Sequence, residues 1–342
     1  MQTYPMAIIT EPGKVAFEDH PMNNLLPDEV RIKVKYAAIC GSDLHLYKGL
    51  HPSVSLPSAV GHELSGVVIE KGSEVTNLQV GDRVTVEPVI ACGKCHFCLR
   101  GQYHLCQDVS FHYRRGQGAF GEYFIAPARY VFRLPDSVSL ETGALVEPLS
   151  VALHAVNKCE MHLGQSTAVF GAGAIGLLVV MLASRRTQGQ TFSIDINQFR
   201  LDKALEIGAT MAINNLEENS VETILNQTER LGVDFSFEAA GFAQTLEQTL
   251  QSVRKGGLST LIGIFEDPFP KVPINLFIQK EITLSGSQGY NWDFQDALTI
   301  LDQNKLSLET LVTHRFPLEK VQDAFSLLTQ RGNQAIKVLI EM

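Results

Sequence analysis

The chain has 342 residues, a formal net charge of −9 and an isoelectric point near 5.6, with 45% of residues apolar. That length accommodates two domains of ordinary size. The dispersed acidic balance argues against nucleic acid or an anionic membrane surface as a partner, and no apolar run is long enough to span a bilayer.

The N-terminal stretch Met1–Ile9 has no basic region followed by an apolar one, so a cytoplasmic location is expected. The first ~130 residues read as mostly β. Short Val- and Ile-rich segments fall at Pro5–Thr10, Glu29–Ile39, Ser65–Glu70 and Gly81–Glu87, with two more at Gly121–Ala126 and Tyr130–Leu134. The stretch Val30–Tyr36 alternates strictly, as a half-buried antiparallel strand does. A single helix is expected over Leu140–Val156.

From Ser166 the pattern turns to strand and helix in alternation. Strands are expected at Ala168–Phe170, Phe192–Asp195, Met211–Ile213, Asp234–Glu238, Ser259–Ile264 and Ile282–Ser285. The clearest helices fall at Phe199–Ile207 and Gln244–Val253. This is the signature of a doubly wound parallel sheet. The tail from about Trp292 returns to helices, ends in a strand at Ile336–Ile340 and is assigned back to the first domain.

The segment 169–176 reads Val-Phe-Gly-Ala-Gly-Ala-Ile-Gly. Gly171 permits a tight turn, Gly173 allows a pyrophosphate to approach the backbone, and Gly176 lets the helix pack closely on the strand. Ala174, Ile175 and Gly176 open that helix, whose free N–H groups and dipole favour phosphate. The following strand ends in Asp195, about 20 residues on, where an acceptor for a ribose hydroxyl belongs, with a turn or helix-cap role as the plainer alternative. A carboxylate there repels a 2′-phosphate, so NAD is expected over NADP.

Four of the six cysteines crowd into one loop, as Cys92-x2-Cys95-x2-Cys98-x7-Cys106. Four thiolates from one loop suit a closed, structural zinc site, with an iron–sulfur cluster, a redox pair or four unliganded thiols as competitors. A second, dispersed set comprises Cys40-Gly-Ser-Asp-Leu-His45, Gly61-His62-Glu63 and Glu147-Pro148. Cys, His and carboxylate together can hold a zinc and leave a position open. Each also has a plainer reading, as a small core residue, a loop histidine or a solvated helix residue.

Taken in order, Cys40-Gly-Ser-Asp, Gly61-His62-Glu63, Gly81-Asp-Arg-Val84, the four-cysteine lobe, Gly121-Glu-Tyr123, Glu147-Pro148, the glycine motif and the closing Lys337-Val-Leu resemble the zinc-dependent medium-chain dehydrogenase/reductase family. Glu147-Pro148 is similar to the polyol branch (sorbitol, threonine, sugar-acid and butanediol dehydrogenases). The resemblance implies an α/β protein with a mostly-β GroES-like catalytic domain, residues 1–149 and 288–342, carrying the zinc lobe at about 90–107. A Rossmann domain of residues 150–287 would interrupt it, with the active site in the cleft between them.

It further implies two zinc ions. Cys40, His62 and Glu63 would be ligands of the catalytic one, with Glu147 either the fourth ligand or a partner of the zinc-bound water. Ser42 and His45 would relay the substrate proton. Arg200 would pack beside the adenine, and Gly263, Ile264, Ser285 and Ser287 would line the nicotinamide pocket. Cys159 matches no ligand position. Arg114 and Arg115 would either grip an acidic substrate or lie solvated or against the cofactor. The expected activity is hydride transfer between NAD and a secondary hydroxyl of a polyol, sugar or sugar acid. Alternatives are an L-threonine 3-dehydrogenase, a butanediol dehydrogenase, or a non-catalytic regulator that binds NAD and zinc. A homo-oligomer, tetramer or dimer, is expected through an edge strand near Ile282–Ser285.

Overall fold

The computed structural model describes residues 2–51, 54–112 and 116–342. The chain forms two compact units: Met1–Glu147 with Phe294–Met342, and Pro148–Asp293. Residues 288–293 therefore group with the second unit.

In the first unit, Thr3–Glu11 turns back at Gly13 and pairs antiparallel with Lys14–Pro21. The sequence reading missed Lys14–Pro21. That strand buries none of its residues fully, so it lacks the apolar alternation that marks a half-buried strand. The main sheet runs in the order Val131–Arg133, Arg83–Val86, Glu63–Lys71, Glu29–Ala38, Lys337–Glu341, Val312–Pro317, with Tyr123–Pro127 added on Glu29–Ala38.

The strand Glu29–Ala38 is central and has neighbours on both sides, so it is more buried than half. Arg31 in particular is buried, against the expectation from alternation. It tolerates this because its guanidinium donates to Glu70 Oε2 at 2.8 Å and to the Asn23 carbonyl at 2.8 Å. Around the strand lies an apolar core that includes Val30, Ile32, Val34, Leu64, Phe120, Phe124 and Phe325. Burying each such side chain contributes roughly 1.5–3 kcal/mol.

One register matters for the site. Ala38 pairs with Glu63 on one side and with Leu339 on the other. The sheet thus brings Glu63 and the beginning of the last strand to the end of the row from which Cys40 departs.

The helix expected over Leu140–Val156 is two helices, Leu140–Gly143 and Val146–Asn157. Gly143 lies where any Cβ would press on Leu134 and Ser65, so the first turn is wedged against the sheet. Pro148 starts a new helix instead of continuing the old one, because its missing N–H is tolerated only in a first turn.

The second unit is a six-stranded, wholly parallel sheet. Its order is Met211–Asn214, Thr191–Asp195, Thr167–Phe170, Val233–Glu238, Val253–Leu261, Thr283–Gly286. The fifth strand starts at Val253, earlier than the expected Ser259, and ends before Gly263. A register shift against Val233–Glu238 separates its two parts. The helix before it, Ala243–Ser252, stops one residue short of the expected Val253. Among the described residues no helix is long and apolar enough to cross a membrane.

Candidate metal centre and nucleotide site

Cys40 stands at the N-cap of the helix Gly41–Tyr47, two residues beyond the end of the central strand. Asp43, in the first turn, turns back on it. One carboxylate oxygen accepts from the Cys40 N–H at 3.0 Å and the other from the Gly61 N–H at 3.2 Å. Gly61 has φ +84°, a conformation that favours glycine, and His62 follows it directly. His62 Nδ1 lies 3.6 Å from the same Asp43 carboxylate. The sulfur of Cys40, a ring nitrogen of His62 and a carboxylate oxygen of Glu63 all fall within 4.8 Å of one another.

The electrostatics of this cluster favour a cation. Burial alone would lower the pKa of His62, but Asp43 and Cys40 raise it well above the ordinary value. Burial would raise that of Asp43, and His62 holds it low. Glu147, buried in the first turn of its helix, is pushed up to about 7, first by burial and also by Glu63, with His62 and Lys337 opposing. It stands outside the three-residue ligand cluster among the described residues. Ser42 is on the first turn of the Cys40 helix and lines a small cavity with His62. His45 is in the last turn of the same helix.

Two partners went unread in the sequence. Asp43 was only a letter in a motif, yet it orients the histidine, as a carboxylate behind a metal-bound imidazole does. Lys337 was only the start of the last strand, yet its ammonium donates to Glu63 Oε1 at 2.6 Å and to the Ile39 carbonyl at 3.3 Å. A buried lysine at a strand start is a faint signal, because only strand pairing places it.

The four-cysteine loop forms a second cluster, with its four sulfurs within 4.8 Å of one another. Sγ separations are 3.5 Å for Cys95–Cys98, 3.9 Å for Cys95–Cys106 and 4.0 Å for Cys92–Cys98. All four are free thiols. A Zn–S bond of about 2.3 Å gives a tetrahedral edge of about 3.8 Å, so the quartet fits that ion. Backbone N–H groups of Cys98 and Gln107 draw the pKa of Cys95 down to about 6, while burial and the bond to Cys95 push Cys98 up to about 12. A dication would hold all four as thiolates. Cys159 is buried beside Thr260, far along the chain in the second unit.

In the second unit the glycine motif joins the strand Thr167–Phe170 to the helix Ala174–Thr187. A Cβ on Gly176 would meet the Gly171 carbonyl oxygen at 1.8 Å, so the helix is packed hard on the turn. A Cβ on Gly173 would meet nothing within 4 Å, which leaves open space at the helix N-terminus for a phosphate. Asp195 accepts from the N–H of Ala172 at 2.6 Å and from those of Ile196 and Asn197 at 2.7 and 2.9 Å. The turn thereby fixes its carboxylate.

A cleft of about 250 Å³ is lined by Gly173, Asp195, Arg200, Asn215, Phe242 and Thr245, among others. Asn215, Phe242 and Thr245 were not anticipated, since no motif marks them. Glu238 also went unread. Its buried carboxylate accepts from Ala240 N–H, Gly241 N–H and Thr245 Oγ1 and shapes the loop against which Gly171 packs. Gly263 and Ile264 follow the fifth strand. Ser285 lies within the sixth, next to its last residue, and the Ser287 N–H donates to the Leu261 carbonyl at 2.9 Å. None of these four is among the residues lining this cleft. Arg114 and Arg115 lie outside the described residues.

Residues 26–136 match the alcohol dehydrogenase GroES-like domain, and residues 174–303 match the zinc-binding dehydrogenase domain. Sorbitol dehydrogenase of Bacillus subtilis is 35% identical over 345 residues, covering 99% of this chain and 97% of that protein. The chain belongs to the zinc-dependent medium-chain dehydrogenase/reductase family, in its polyol dehydrogenase branch. It is a nicotinamide-dependent alcohol dehydrogenase. This dehydrogenase is also 36% identical to the L-threonine 3-dehydrogenase of Pyrococcus horikoshii, over 88% of each chain. Its fold matches that of an Escherichia coli oxidoreductase of unknown specificity, described as involved in membrane biogenesis. That match has a TM-score of 0.94 and 30% identity and covers 99% of both chains. The α/β architecture of a GroES-like domain with a parallel-sheet dinucleotide domain is that of the family.

Proposed function

We propose that this dehydrogenase transfers hydride between NAD and a secondary hydroxyl of a polyol, sugar or sugar acid, with one catalytic and one structural zinc per chain. The observation that carries the reading is the Cys40–His62–Glu63 cluster, whose three donors converge beside Ser42. A Cys, His, carboxylate set with room for one more ligand is the composition of a catalytic zinc site. The similarity to sorbitol dehydrogenase supports a polyhydroxy substrate.

Zinc held there supplies Lewis acidity that eases loss of the substrate hydroxyl proton. NAD supplies the hydride acceptor. The chain's own residues do the rest. Asp43 holds His62 in orientation. Lys337 stands behind Glu63 as a buried counter-charge. Ser42 takes the proton of the substrate hydroxyl and passes its own onward. Glu147 adds a second carboxylate, as the fourth ligand or as a partner of bound water. Asp195 selects NAD by accepting from a ribose hydroxyl and repelling a 2′-phosphate.

The similarity to an L-threonine 3-dehydrogenase favours a second substrate reading, the β-hydroxyl of an amino acid. We also assign the chain to the cytoplasm, where the four-thiol lobe stays reduced, and to a homo-oligomer. The strand Thr283–Gly286 forms the outer edge of its sheet, and exposed Phe269, Ile274 and Ile278 precede it along the chain.

The test is NADH formation at 340 nm by zinc-replete protein. The panel holds polyols, aldonic acids, polyol phosphates, L-threonine and 2,3-butanediol. A polyol or sugar acid turned over best supports the leading reading, and L-threonine turned over best replaces it. Silence across the panel rejects both. If an acidic substrate wins, an unchanged KM in Arg114→Ala and Arg115→Ala shows that neither arginine grips it. Light scattering at micromolar concentration reads the oligomer.

A further inference from the structure

Ser42 opens onto a cavity of about 20 Å³. Its polar walls are Ser42, Asp43, His51 and His62, and its apolar walls include Val54 and Val60. A cavity that admits a water needs about 10–15 Å³ and two to four polar partners. This one has both, with room for one molecule. The histidine implied by family resemblance, His45, is not among the described residues lining it. His51, a half-buried residue beyond the end of the Gly41–Tyr47 helix, is.

We infer that His51 is the histidine that draws the proton from Ser42, through one water held in this cavity. The inference rests on the proposed dehydrogenase reading. In the step, the substrate O–H bond breaks and Ser42 Oγ gains that proton while giving its own to the water. The water gives one of its protons to a ring nitrogen of His51, and the imidazolium releases it to bulk solvent. No electrons move in this leg, because the hydride leaves separately to the nicotinamide.

The charged and titratable groups that bear on His51 are His45, Asp43 and His62. Burial lowers its pKa first, His45 and His62 push the same way, and Asp43 opposes them. The ring is therefore a neutral acceptor at neutral pH, the state a proton path needs. Because His51 acts through Ser42 and does not touch the substrate, it is a positioning and relay residue.

The experiment compares His51→Gln with His45→Gln in zinc-replete enzyme, after zinc content and NADH binding have been matched to wild type. At about pH 7, His51→Gln is expected to lower kcat/KM by about 10-fold or more. The deficit shrinks as pH rises and is relieved by added imidazole. His45→Gln is expected to lose less. A loss in His51→Gln that is equal at every pH and unrelieved by imidazole marks a packing role and overturns the inference, as does a larger loss in His45→Gln.

A second readout needs no turnover. In 15N-histidine spectra, Ser42→Ala is expected to move the His51 ring signals more than those of His45, and the reverse overturns the inference. If wild type turns over no alcohol on the panel, the dehydrogenase reading fails on its own, and these spectra alone decide whether Ser42 and His51 are linked.

Discussion

Lys337 and Glu63 are 274 residues apart in the chain, yet they form a buried ion pair with Nζ 2.6 Å from Oε1. Both side chains are sealed from solvent, Lys337 at 3% and Glu63 at 0% exposure. Burial would lower the lysine's pKa, but Glu63, followed by Cys40, raises it. The pair therefore places a buried counter-charge behind the Cys40–His62–Glu63 cluster.

Removing the ammonium exposes that arrangement. Lys337→Met leaves Glu63 buried and unpaired, which costs roughly 3–5 kcal/mol. Urea unfolding of zinc-free protein should show the full loss. Zinc-loaded protein should lose less, because the ion supplies Glu63 with a second counter-charge. Equal losses with and without zinc would show that Glu63 does not reach the metal.

The raised pKa of Glu147 makes a pH prediction for zinc-free protein. The folded-state value of about 7 lies above the ordinary 4.5, so the folded chain binds the extra proton between those values. The contribution of Glu147 is then fully present below about pH 4.5 and is lost as pH rises through about 7, by about 3 kcal/mol. Glu147→Gln should flatten that slope in denaturation measured across the range. An unchanged slope would place the titration elsewhere.

The cysteine quartet predicts a separable metal. Cys98→Ser should reduce bound zinc from about two ions per chain to about one by elemental analysis and lower Tm, because metal binding in such a loop is folding energy. The Cys40–His62–Glu63 cluster should keep its zinc. Retention of both ions would mean that three thiolates suffice.

Asp195 predicts cofactor choice. Asp195→Asn keeps an acceptor for Ala172 N–H but removes the charge, so it should narrow the NAD preference by roughly 10-fold or more in relative kcat/KM. Wild-type enzyme with equal kcat/KM for NAD and NADP would show that the carboxylate does not discriminate.

Much of this was local and therefore legible. The turn Gly171–Gly176, the thiol spacing Cys92–Cys106 and the carboxylate at Asp195 each lie within one short segment, where spacing alone picks out the candidate residues. The alternation from Ser166 onward likewise set the parallel sheet, because helix and strand periods differ. Other features come from pairing over distance, which no window of residues encodes. Ala38 aligned Glu63 with the last strand, so Lys337 acquired a partner only in the sheet. Arg31 was buried because its strand is central, and Lys14–Pro21 was missed because an exposed edge needs no apolar pattern. Asp43 reached His62 only through the backbone turn at Gly61, and His51 met Ser42 only across a cavity. The sequence by itself determined which chemical groups are present and which segments carry the two candidate clusters. The tertiary structure decided which charges stand behind them, since burial and counter-charge depend on neighbours that the chain brings from far away.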